Sequence, residues 1–118
     1  METNIYSLDF NPNELSTKQE LLGFEYADND TDTELMKKEE KMIIAELTLE
    51  HSKNSSYKNS TELNGHIYSD EKYKQWFDRY KPVLKARNRS KVSYETFKAF
   101  RDDLRTKVVN ERELAKNL

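Results

Sequence analysis

Leu, Ile, Val and Phe together supply only 25 of the 118 residues. A chain this poor in strongly apolar groups must recruit its aromatics to build a core. It has seven Tyr, five Phe and Trp76 for that purpose. No cysteine is present, which excludes a disulfide framework, a thiol nucleophile and sulfur-ligated zinc. One small domain spanning 1–118 is expected. The longest apolar run, 42–45, is far short of the roughly 20 residues that cross a bilayer, and no signal-peptide pattern opens the chain. A soluble, cytoplasmic protein with no membrane partner is the expectation.

The net charge of −2 conceals an uneven layout. Residues 1–50 carry 13 acids against 4 lysines, whereas 51–118 carry 16 Lys and Arg against 9 acids. Between the halves, 51–66 is rich in Ser and Asn and reads as a polar linker or loop. Opposite halves of this kind either present two charged faces to partners or attract each other within the fold.

Local pattern predicts an α+β fold, with an all-α bundle as the alternative. Tyr6, Leu8 and Phe10 alternate as in a short strand that Asn11 and Pro12 break. Ser16 and Gln19 have capping-box spacing for a short helix ending at Gly23, and 24–26 could resume extended structure. Residues 33–41 are strong helix formers, with Thr31 and Glu34 spaced as a further capping box. For 42–50 a helix would set Glu39, Glu46 and Glu50 in the middle of a buried arc, which is costly. A strand puts Ile43, Ala45, Leu47 and Leu49 on one face, and the strand is the expectation. In 69–116 a helical hairpin is expected. Ser69 caps a first helix with Tyr73, Trp76, Phe77 and Tyr80 on one face; Pro82 ends or kinks it, and 87–91 forms a basic connection. Ser93 then caps a second helix with Phe97, Phe100, Leu104 and Val108 inward.

The acidic half contains Asp28-x-Asp30-x-Asp32 with Glu39 at the twelfth place. This stretch resembles an EF-hand loop, in which positions 1, 3, 5 and 12 supply oxygen ligands to calcium. The resemblance implies a calcium site at Asp28, Asp30, Asp32 and Glu39. Thr33 stands where that loop needs glycine, and an acidic turn leading into a helix cap is the simpler reading. His51 and His66 lack partners at metal-ligand or triad spacing, and two glycines leave no room for a phosphate-cradling loop.

No catalytic signature emerges, and a non-enzymatic binding protein is expected. Its first candidate surface is basic: Lys98, Arg101, Arg105 and Arg112 fall on one side of the last helix, beside Arg87, Arg89 and Lys91. Such a surface suits nucleic acid or the acidic face of a nucleic-acid-processing protein. The short, Lys-, Glu- and Asn-rich chain is similar in style to small accessory proteins of phages and mobile elements. In the alternative reading, Asp28, Asp30, Asp32, Glu34, Glu39 and Glu40 imitate the charge of DNA and block a nuclease or related enzyme, as anti-restriction and anti-CRISPR proteins do.

Overall fold

The computed structural model describes residues 11–53 and 59–116, and nearly all of them are helical. Three helices follow in order: α1 (Pro12–Ser52), α2 (Ser60–Ser69) and α3 (Glu71–Lys116). No strand occurs among the described residues. The α+β expectation is therefore replaced by an all-helical fold.

Each helix start has a local chemical cause. Asn11 caps α1, its side chain accepting from the N–H of Asn13 at 2.9 Å, and Pro12 takes the first helical position, where a missing N–H costs nothing. Asn59 caps α2 by accepting from the N–H of Glu62 at 2.9 Å. Asp70 makes the corner into α3. Its N–H donates to the Ile67 carbonyl at 3.1 Å while its Oδ1 accepts the N–H of Lys72 at 2.9 Å. Its Oδ2 lies 3.0 Å from Nε2 of His51, which ties the last turn of α1 to that corner. The N–H of Lys72, followed by His51, holds the Asp70 carboxyl below the usual carboxylate range.

The chain divides into two compact units, Asp28–Asn88 and Met1–Ala27 with Arg89–Leu118, and α1 and α3 contribute to both. In the first, α1 and α3 run antiparallel, with Asp30 meeting Arg87, Met36 meeting Trp76 and Glu46 meeting Lys72. Its buried side chains include Leu47, Ile67, Trp76 and Thr33. Thr33 can be buried because its hydroxyl donates to its own helix at the Asn29 carbonyl, 2.9 Å away. In the second unit the same two helices again pair antiparallel, around buried Leu15, Ser90 and Leu104. There Lys18 sits 5.3 Å over the Phe97 ring and Arg101 donates to Gln19 at 2.6 Å. Gly23 does not stop α1; it lies under Tyr94, whose ring would come 3.4 Å from an added Cβ. Absence of a side chain at that point lets the ring pack close to the helix.

Several local expectations are corrected. Residues 24–26 and 42–50 are helical, and Thr31 lies inside α1 rather than at a cap. The strand at residues 6–10 falls outside the described residues. His51 and Ser52 finish α1, and α2 takes up the linker sequence from Ser60 onward; 54–58 lie outside the described residues. The expected hairpin of 69–116 is one continuous helix, capped by Asp70 instead of Ser69. It passes through Pro82, which is exposed, and through the basic stretch 87–91. Lys, Arg, Ala and Leu dominate around Pro82, and these residues favour a helix strongly enough to continue it once one face is packed.

The strand expectation for 42–50 failed for an instructive reason. It assumed that a helix would have to bury both apolar rows of α1 together with the glutamates between them. The rows instead lie about 120° apart around the helix, and only one of them is packed. Met36, Ile43 and Leu47 turn inward, while Leu35, Met42 and Leu49 remain 57%, 73% and 69% exposed. Glu39, Glu46 and Glu50 lie on the edge between the rows, where they meet cations of α3 rather than apolar side chains.

Candidate functional site

In the unit Asp28–Asn88, four acids of α1 pair with three bases of α3. Arg79 grips Glu39 through two bonds, Nη2 to Oε1 at 2.6 Å and Nη1 to Oε2 at 3.2 Å. Lys72 reaches Glu46 at 3.1 Å and Glu50 at 3.4 Å, and Arg87 donates to Asp30 at 3.1 Å. The hydrogen bond from Arg79 holds the Glu39 carboxyl below its ordinary range. The bond to Glu46, with Glu50 behind it, raises the Lys72 ammonium above its ordinary range. Exposed pairs of this kind add little stability singly, but they fix which faces meet.

The sequence imbalance therefore disappears in the fold. Residues 28–88 contain 12 acids and 11 bases, and the remaining residues contain 10 and 9. Of the acids expected to imitate DNA, Asp30 and Glu39 have cationic partners on α3, and Glu40 accepts the Tyr73 hydroxyl at 2.8 Å. Glu34 pairs with Lys37 at 3.4 Å; Asp28 and Asp32 are exposed.

The EF-hand expectation does not survive, because Asp28, Asp30, Asp32 and Glu39 all lie within α1. A helix turns 100° per residue and spreads alternate side chains around its axis, whereas the calcium loop must fold them inward. Among the described residues no three His, Asp or Glu side chains converge as a metal site.

The aromatic face of α3 is part core and part surface. Trp76 is 2% exposed, stacks on Tyr80 with centroids 4.9 Å apart, and donates Nε1–H to the Met36 carbonyl at 2.8 Å. Tyr73 packs between Tyr68 and Trp76, while Phe77 is 45% exposed beneath Lys81. Burial first, and then the bond to Glu40, push the Tyr73 phenol up to about 12. A phenol whose folded pKa exceeds its unfolded value near 10 contributes stability that is present below pH ~10 and lost as pH rises through ~12. An alkaline absorbance titration should show one tyrosine ionising late, and Tyr73→Phe should remove that late step. The melting-temperature advantage of the wild type over Tyr73→Phe should also shrink across that pH window. Ionisation of every tyrosine together near pH 10 would contradict this assignment.

The basic candidates divide. Arg87 pairs with Asp30, and Arg101 is half-buried against Gln19. Arg89, Lys98, Arg105 and Arg112 are exposed. Because α3 is unbroken, Lys91 joins Lys98, Arg105 and Arg112 in a row spaced every seven residues and about 31 Å long. None of these four makes an ion pair with a described residue. The turn expected at 87–91 would separate Lys91 from the other three, and the continuous helix brings it into line with them. Glu95 and Asp102 lie four residues beyond Lys91 and Lys98, so the adjoining edge is acidic.

No helix among the described residues is long and apolar enough to cross a membrane. No protein-family model, curated protein or solved structure matches the chain.

Proposed function

We propose that this is a non-enzymatic helical binding protein that docks an acidic helical surface of a protein partner along Lys91, Lys98, Arg105 and Arg112. The single observation behind this reading is that the row carries no internal counter-charge among the described residues, whereas Lys72, Arg79 and Arg87 of the same helix are neutralised by α1. A seven-residue repeat is the one at which a second helix returns equivalent positions to the same line, about 10.5 Å apart. Glu95 and Asp102 beside the row repel a continuous phosphate backbone, and the near-neutral unit exerts little long-range pull on one. These features favour an acidic protein over nucleic acid.

Capture from lysate of the source cells, with Lys98→Glu/Arg105→Glu as comparison, tests the reading. The wild type should retain a protein that survives nuclease treatment and is lost from the variant. Equal capture by the variant would reject the row as the site. Capture abolished by nuclease would make nucleic acid the partner.

A further inference from the structure

In the unit formed by Met1–Ala27 and Arg89–Leu118, an open groove of about 440 Å³ runs between α1 and α3. Small residues of α1 help to open it. Ser16 and Gly23 line it from one helix, and Tyr94 and Arg101, seven positions apart, line it from the other. Gly23 lies against the Tyr94 ring and puts no side chain into the space beside it. Phe24 lines the same groove, yet 59% of it is exposed. Two aromatic rings and a bare stretch of helix thus form an apolar spot that solvent still reaches.

Arg101 gives the groove its charge. It is half-buried and donates from Nη1 to the neutral amide oxygen of Gln19 at 2.6 Å, and no carboxylate among the described residues pairs with it. A guanidinium has five donors in a planar fork, so one bond to an amide leaves it able to hold a carboxylate. Tyr94 and Arg101 lie about 40° to 60° around α3 from the nearest members of the row Lys91, Lys98 and Arg105, so groove and row open to one side. Glu20 is exposed on the α1 side of the groove. It repels a ligand that is acidic all round and favours one whose acids face α3 alone.

We infer that this groove receives one amphipathic acidic helix of a partner, which seats a large apolar side chain against Gly23, Phe24 and Tyr94 and pairs a carboxylate with Arg101. The inference rests on the acidic-partner reading of the basic row and adds the apolar contact that the row by itself lacks. Charge along the row orients the partner, and burial of the apolar anchor supplies affinity. Tyr94 and Arg101 are about 10.5 Å apart along the helix axis, so the anchor and its acid stand seven residues apart on the partner helix too.

Two labelled, alanine-based helical peptides of about 20 residues serve as probes. Both carry Glu at every seventh position for the row and a further Glu for Arg101; one has Leu seven residues from that further Glu, and the other has Ala there. By fluorescence polarisation the Leu peptide should bind the full chain about 10-fold more tightly than the Ala peptide. Phe24→Ala should erase that advantage, and Arg101→Gln should weaken both peptides about 10-fold. Circular dichroism should show both variants as helical as the wild type, because Phe24 is exposed and Arg101 bonds only an amide side chain among the described residues. Equal binding of the two peptides, or a Leu advantage that persists in Phe24→Ala, would overturn the groove and leave the row standing. Binding unaffected by Lys98→Glu/Arg105→Glu, with the Leu advantage intact, would reject the row but not the groove. No binding of either peptide would overturn both. A dimer in sedimentation equilibrium that the Leu peptide dissociates would put a second copy in the groove and overturn the proposal.

Discussion

Trp76→Ala should cost about 3–5 kcal/mol, a large part of the ~5–15 kcal/mol that stabilises a typical small protein. Trp76 is among the largest of the few buried side chains, and its loss removes several supports together. The indole fills the space between α1 and α3, stacks on Tyr80, and gives its N–H to the Met36 carbonyl. The cavity left by alanine would be lined by Tyr73, Tyr80 and the side of α1, which helical backbones cannot collapse to fill. Trp76→Phe separates the contributions. It keeps an aromatic ring but loses the donor, and it should fall between the wild type and the alanine variant. Urea unfolding followed by far-ultraviolet circular dichroism measures all three. A Trp76→Ala midpoint matching that of the wild type would remove Trp76 from the core.

The second large effect separates two residues of the same type on the same helix. Leu47→Ala should destabilise by about 2–5 kcal/mol, because Leu47 is 0% exposed. Leu49→Ala should change stability by no more than about 0.5 kcal/mol, because Leu49 is 69% exposed. A strand through 42–50 would place both leucines on one buried face and make the two substitutions equally damaging. Equal losses at 47 and 49 would therefore restore the strand, and a large difference requires the helix.

Much of the local chemistry was legible in the sequence. The aromatic spacing from Tyr73 to Tyr80 indicated a packed helical face, and Trp76 is its buried centre. Asn11-Pro12 was legible but ambiguous, since the pair that breaks a strand also starts a helix well. The sequence also displayed both apolar rows of α1, yet nothing local says that a chain will bury one and leave the other outside. That choice depends on α3, whose Arg79 and Lys72 provide partners for the glutamates between the rows. The same limit applies to Pro82 and the 87–91 stretch. Each disfavours a helix locally, and packing of Tyr80, Val83, Leu84 and Ser90 on one face overrides both. The basic row was obscured for that reason alone, because a supposed turn at 87–91 severed Lys91 from Lys98.

If the opposite charges of the two halves are matched within the fold, reversing one member of a pair should be corrected by reversing the other. Glu39→Arg places a second cation beside Arg79, and Arg79→Glu places a second acid beside Glu39. At low salt each single variant should melt below the wild type, the Glu39→Arg/Arg79→Glu double variant should recover most of both losses, and high salt should shrink every difference. A double variant that melts lower than either single one, by the sum of their losses, would show that α1 and α3 do not meet through these charges and would contradict the account.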